Sequence, residues 1–285
     1  MLRLLKLIRV SLSLAGLAFF AYAISLVEWS AMAPSILWLG LVVPVFWISL
    51  GFSVAGFIAL ARAENNNTKT ASLFWVYVDS WIARYAPGPS AIASKTASLA
   101  SLSWDVGAAL KLIAVDFMHN LILTSLVALI LGTSLLQGCC GADIPSVYVT
   151  ILISGLVLTS GIFAYSIIRG VGRGAIYLFL GSRVFLAVAV ALSFRATTSM
   201  PITDVLSLTA LYLGAVVIGY LALVVPGGIG VRESAFILGA SWFGYSIETA
   251  AALAASARLA TLLADLGVLG LWVLRRATIR KRDLL

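Results

Sequence analysis

Ten apolar runs, separated only by short polar, basic or glycine- and proline-rich breaks, take up most of this chain of 285 residues. A helix needs roughly 20 apolar residues to cross about 30 Å of hydrocarbon, so eight crossings would use on the order of 160 to 180 residues. That leaves about a hundred for connections. The pattern predicts an all-α polytopic membrane protein of about eight membrane segments, one membrane domain over 1–285, without a sizeable catalytic domain outside the bilayer. Composition agrees, because 62% of residues are hydrophobic and 11% charged, against about a quarter charged in soluble domains.

The runs fall at 7–27, 36–60, 71–85, 91–103, 107–136, 146–168, 175–194, 205–225, 231–243 and 247–274. The first resembles a signal peptide, with Ala21-Tyr22-Ala23 as a small-x-small site, and is read as an uncleaved anchor because so many runs follow it. Pro44 and Gly51 are expected to interrupt the second. Runs 71–85 and 91–103 are short for a crossing and are separated by Pro87-Gly88-Pro89. Each Pro-Gly pair of segments reads equally as two crossings or as one re-entrant hairpin.

The formal charge of +8 would suggest nucleic acid in a soluble protein. Here the basic residues flank apolar runs, so nucleic acid is excluded and the charge becomes a topology signal. Of thirteen basic residues outside the runs, twelve fall on one side if the N-terminus is cytoplasmic, and only Arg195 falls on the other. Lys and Arg are retained in cytoplasmic loops, so both termini are expected in the cytoplasm, with 275–285 a basic tail and the plasma (inner) membrane the host.

Division near Asp143 gives halves 1–143 and 144–285 with five runs each. Each half carries Pro-Gly between its third and fourth runs, at Pro87-Gly88 and Pro226-Gly227. Opposite starting sides with matching breaks are the pattern of inverted repeats, whose broken helices meet near the bilayer midplane. Two ordinary connecting loops would leave the same trace.

Charges inside apolar runs cost about 3 kcal/mol each by insertion scales, so they usually line an interior and are paired. Asp105 and Lys111 lie at a run's start, where snorkelling makes them cheap. Arg183 reads equally as snorkelling or interior. Arg258 and Asp265 sit mid-helix and two turns apart, so they share an inward face. Asp116 and His119 share another, read as a hydrogen-bonded pair before a proton relay. Trp29, Trp38, Trp75, Trp81 and Trp104 near run ends read as interfacial anchors. One histidine and the adjacent Cys139 and Cys140 supply too few soft ligands for a usual zinc or iron-sulfur site, so no metal centre or cofactor is expected. Asn66-Asn67-Thr68 matches a glycosylation triplet but is expected on the cytoplasmic side.

The most informative stretch is Pro226-Gly227-Gly228-Ile229-Gly230-Val231-Arg232-Glu233, where glycines open a helix with an arginine in its first turn. Free N–H groups at a helix start attract anions, and arginine adds a bidentate phosphate contact. Arg84 and Lys95 set cations around the other break. The eight-residue block, with Arg258 in Ala257-Arg258-Leu259 beyond it, resembles the C-terminal signature of the lysylphosphatidylglycerol synthase transmembrane (flippase-like) family. Arg84-Tyr85-x-Pro87-Gly88 resembles its N-terminal signature, whereas Pro89, Ser90 and Lys95 depart from it. The resemblance implies a membrane domain handling anionic or isoprenoid lipids, here without the aminoacyltransferase domain of bifunctional members.

The leading expectation is a lipid translocase rather than an enzyme, taking membrane lipids as substrate. Arg84, Lys95, Pro226, Gly227, Gly228, Gly230, Arg232 and Arg258 would hold an anionic headgroup, of a glycerophospholipid or a polyprenyl phosphate. Asp116, His119, Glu233 and Asp265 would balance charge or couple to transport. An intramembrane enzyme using Asp116 and His119, and a non-transporting subunit partnering envelope or glycan biosynthesis proteins, are the alternatives.

Overall fold

The computed structural model describes residues 22, 25, 36–65, 67–85, 90–138, 173–221 and 230–283. The runs 7–27 (apart from Tyr22 and Ser25) and 146–168, the turn residues 86–89 and 222–229, and Cys139 and Cys140 lie outside the described residues. Eight helices and no strand occur among those described: α1 (Ile36–Glu64), α2 (Thr70–Ala83), α3 (Ser90–Ser101), α4 (Val106–Gly138), α5 (Arg173–Thr197), α6 (Ile202–Leu221), α7 (Val231–Trp242) and α8 (Ile247–Asp283). Five of them, α1, α4, α5, α6 and α8, are long and apolar enough to cross a membrane, as in an integral membrane protein.

Helix α1 runs unbroken through Pro44 and Gly51, contrary to the expected interruption. A proline removes one N–H and crowds one carbonyl, a cost that long apolar helices absorb when neighbours pack against them. Helix α8 also continues through the basic residues expected as a tail, to Asp283. Arg and Lys are good helix formers, and Arg275 lies 3.7 Å from Asp79 while Arg276 covers the Trp272 ring.

Helices α1 and α5 form the most extensive contact, and they run antiparallel. Gly56 faces the Phe179 ring, Gly181 faces Phe52, and Phe52 stacks on Phe185. Ser49 and Ser53 meet Ser182 between them. Without a hydrophobic drive between helices in lipid, small residues that permit close approach are what hold such an interface. An added Cβ at Gly56 or Gly181 would lie 3.1 Å from the facing ring.

Helices α2 and α3 form a hairpin that begins and ends on one side of the helix stack. Lys111 near the start of α4 pairs with Glu64 at the end of α1 (2.9 Å), and Trp104 donates to Thr68 across the base of the hairpin (2.9 Å). Asp105 caps α4 by accepting from Ala108 N–H (3.1 Å). At 14 and 12 residues, the two arms reach about 21 and 18 Å, short of the roughly 30 Å of a crossing. Helix α2 lies antiparallel to α8: Asp79 accepts from Trp272, and farther along α2 Trp81 donates to Asp265. Helix α7 doubles back on α8 through the turn 243–246.

The packing pairs form a closed set. Helix α2 packs on α3 as α6 does on α7, α3 on α4 as α7 on α8, and α1 on α2 as α5 on α6. Helix α4 meets α5 as α8 meets α1, α4 meets α6 as α8 meets α2, and α1 meets α4 as α5 meets α8.

Candidate functional site

Two helix ends converge on α8 at different heights. Asp265 follows Ile247 by about five turns, or roughly 27 Å, and it receives the tip of the α2–α3 hairpin. Arg84 Nη2 donates to Asp265 Oδ2 (2.5 Å), the Tyr85 hydroxyl donates to the same oxygen, and Trp81 Nε1 donates to Oδ1 (2.8 Å). The Arg84 guanidinium also lies 3.7 Å over the Trp81 ring. Trp81, half-buried, is therefore part of this node, and Trp104 is buried and tied to Thr68 at the base of the hairpin. Both have one cause: an indole N–H withdrawn from water needs an acceptor, and here one lies within reach.

The second node is the start of α7, level with Arg258, which follows Ile247 by about three turns or 16 Å. Glu233, fully buried, accepts from Gly230 N–H with Oε2 (2.8 Å) and from Arg232 Nη2 with Oε1 (2.7 Å). Gly230 has φ +85°, which glycine alone adopts without strain. The helix start expected to cradle a phosphate is thus capped by its own glutamate, and Arg232 is paired with its sequence neighbour. Pro226, Gly227 and Gly228 lie outside the described residues.

Arg258 is 9% exposed and makes no hydrogen bond or ion pair among the described residues. Its electrostatic neighbours are Arg232, Glu233, Tyr85 and Tyr212, so it bridges the two nodes. The Tyr212 hydroxyl is buried without a hydrogen-bond partner among the described residues, with Arg232 5.3 Å over its ring.

Lys95 and Asp116 form a third, buried node at 2.7 Å. The ammonium lies 4.6 Å from the Phe57 ring centre and 4.5 Å from that of Tyr77. Asp116 also accepts from Asn120 (3.1 Å), while His119 places Nδ1 2.8 Å from the Val115 carbonyl and stacks on Phe179. A carbonyl only accepts, so Nδ1 carries a proton.

Arg183, left open by sequence, is only 5% exposed and does not snorkel. Its Nη2 donates to Ser53 (2.7 Å) and Ser182 (2.8 Å), and Nη1 to Tyr220 (3.2 Å). All three partners are neutral, and Nε has none among the described residues. Tyr220 is an electrostatic neighbour of Arg232, and Tyr77 joins Ser53 to the Asp116 side. The charged residues expected at the site from sequence, within the described residues, thus fall in buried or half-buried polar nodes that are electrostatic neighbours of one another. Arg183, Tyr212, Tyr220 and Trp81 belong to these nodes as well. Only Arg183 carried a sequence signal, its charge within an apolar run.

No protein-family model and no curated protein matches the chain.

Proposed function

We propose that this chain is a lipid translocase that receives an anionic, phosphate-bearing headgroup between its two helix breaks. The observation that carries the reading is Arg258, a buried arginine without an ion pair among the described residues, level with the start of α7 and an electrostatic neighbour of Tyr85 at the α2 tip. Glu233 is shared between Arg232 and Arg258, and an incompletely offset charge in a low-dielectric interior is costly, so a site that keeps one is suited to a ligand of opposite charge. A lipid head otherwise crosses hydrocarbon unaided. A buried cation at mid-depth lowers that barrier while the chains stay in the bilayer. Arg232 and Tyr212 stand beside it as further donors.

The packing pairs support an inverted repeat of two halves, because exchanging α1–α4 with α5–α8 maps the set onto itself. Antiparallel α1 and α5, as counterparts, agree with opposite insertion. The short α2–α3 arms favour a re-entrant hairpin over two crossings. Arg62, Lys69, Arg275 and Arg276 gather on the side where that hairpin starts, which favours a cytoplasmic placement of that side and of the C-terminus. The resemblance to the lysylphosphatidylglycerol synthase transmembrane family points to the same class of substrate. Asp116, committed to Lys95, makes a poor general base, so transport is preferred to catalysis.

The test is transport of a headgroup-labelled anionic lipid in proteoliposomes. Arg258→Gln is expected to lower the rate at least about tenfold, the scale of a lost charge-assisted hydrogen bond, with thermal unfolding unchanged. Undiminished transport by a folded Arg258→Gln protein rejects the reading.

A further inference from the structure

Among the described residues, the interior holds five cations, Arg84, Lys95, Arg183, Arg232 and Arg258, against three carboxylates, Asp116, Glu233 and Asp265. Each carboxylate is already engaged: Asp265 by Arg84, Asp116 by Lys95 and Glu233 by Arg232. Two cations are left without an ion pair among the described residues, Arg258 and Arg183. In sequence, residues 86–89 between α2 and α3 and residues 222–229 between α6 and α7 contain no ionisable side chain.

These two arginines differ in how they are held. Arg183 is fixed by Ser53, Ser182 and Tyr220 at the α1–α5 contact, with Nε unpartnered. Three neutral oxygens orient a guanidinium but do not cancel its charge. Arg258 lacks even these. Tyr220 ties Arg183 to the start of α7, since its hydroxyl accepts from Arg183 (3.2 Å) and it follows Gly219, where an added Cβ would lie 3.3 Å from the Arg232 Cβ; Arg232 is in turn an electrostatic neighbour of Arg258.

We infer that the ligand brings two negative charges, as a phosphate monoester or diphosphate headgroup does, and that Arg183 is a second headgroup-binding residue alongside Arg258. A phosphodiester lipid such as phosphatidylglycerol carries one negative charge and leaves one arginine uncompensated. A zwitterionic head leaves both. A terminal phosphate carries close to two charges near neutral pH because its second ionisation lies at about 6. Cations beside it favour the second ionisation further. The inference rests on the translocase reading and narrows its substrate to lipids with a terminal phosphate.

Two lipids with identical chains isolate the charge: phosphatidic acid and phosphatidylmethanol, its methyl ester with a single negative charge. Native mass-spectrometric titration of the purified full chain is expected to give phosphatidic acid about tenfold tighter binding, the effect of one added charge-assisted contact. In Arg183→Gln, which keeps hydrogen-bonding capacity at that position, the ratio should fall to about two, with phosphatidylmethanol binding little changed. Equal affinities in the unmodified protein overturn the two-charge inference and leave the translocase reading standing. A folded Arg183→Gln protein that keeps the full ratio overturns the role of Arg183. Binding of neither lipid overturns the translocase reading itself. Inorganic phosphate that displaces phosphatidic acid at equal concentration upholds the two-charge site and overturns a lipid as its occupant. If Arg183→Gln fails to fold, a structure of the unmodified protein with phosphatidic acid bound decides the role of Arg183: a phosphate oxygen within hydrogen-bond distance of its guanidinium upholds it, and a headgroup that does not reach it overturns it.

Discussion

The two helix breaks use their cations in opposite ways. At the first, Arg84 and Lys95 each reach a carboxylate on another helix, Asp265 on α8 and Asp116 on α4. At the second, Arg232 is paired with the residue next to it, Glu233, and Arg258 across the gap is left without an ion pair among the described residues. Cross-helix pairs join separate elements, so the first break is a clamp that holds the α2–α3 hairpin against the bundle. A pair between sequence neighbours joins nothing distant. The second break therefore shapes a receptive surface and contributes little to assembly.

The clamp is most sharply tested at its most buried pair. Asp116→Leu leaves the Lys95 ammonium in an apolar pocket with only aromatic faces and is expected to cost about 3–5 kcal/mol, the usual penalty for breaking a buried pair. The double variant Lys95→Met, Asp116→Leu should recover most of that, because replacing both charges with apolar groups of similar volume is often neutral. Denaturant-induced unfolding in micelles measures both. A single variant as stable as the double would show that Lys95 and Asp116 do not act as a clamp.

Glu233→Gln addresses the receptive side with a smaller stability effect and a distinctive sign. Glutamine keeps an acceptor for Gly230 N–H but loses the charge that offsets Arg232 and Arg258. About 1–2 kcal/mol of stability should be lost, the range for a charged hydrogen bond replaced by a neutral one. Binding of an anionic lipid such as phosphatidylglycerol should strengthen, since the change adds one net positive charge to the interior. Weaker binding of this lipid by a folded Glu233→Gln protein would show that the glutamate positions the cations instead of offsetting them.

How much of this was legible in the sequence follows the physics of each feature. Helix bounds were readable because apolar length is a local property: run 231–243 became Val231–Trp242, and 91–103 became Ser90–Ser101. The shared face of Arg258 and Asp265 was readable too, since helical periodicity fixes it. The pairing was not. Arg84 and Asp265 are 181 residues apart, and no local pattern says which carboxylate a buried arginine will meet. The partner of Trp81 was hidden for a related reason, as position near a run's end is a local cue but an acceptor on α8 is not. The capping role of Glu233 could have been read from its place three residues after Gly230, the spacing at which a glutamate reaches back to a helix start.

The smallest effect should come from the backbone contact that sets Arg232 in place. Gly219 on α6 lies against α7, and a Cβ added there would sit 3.3 Å from the Arg232 Cβ, tighter than ordinary packing by a few tenths of an ångström. Two opposing terms act on stability. Alanine in a helix interior gains up to about 1 kcal/mol over glycine, and mild overpacking costs about 1 kcal/mol or more. Gly219→Ala should therefore unfold within about 1 kcal/mol of the unmodified protein. Function does not share that cancellation, because the only way to relieve the contact is to move the α7 start, with Arg232 and Glu233 together, away from α6. Transport of the labelled lipid should fall by roughly two- to fivefold, less than for loss of a charged contact. The same substitution at Gly214, on the same helix with nothing within 4 Å of an added Cβ, has the propensity gain without the shift and should leave the rate unchanged. Equal rates for the two variants would mean that the second break tolerates displacement, and that the position of Arg232 is not what makes this end receptive.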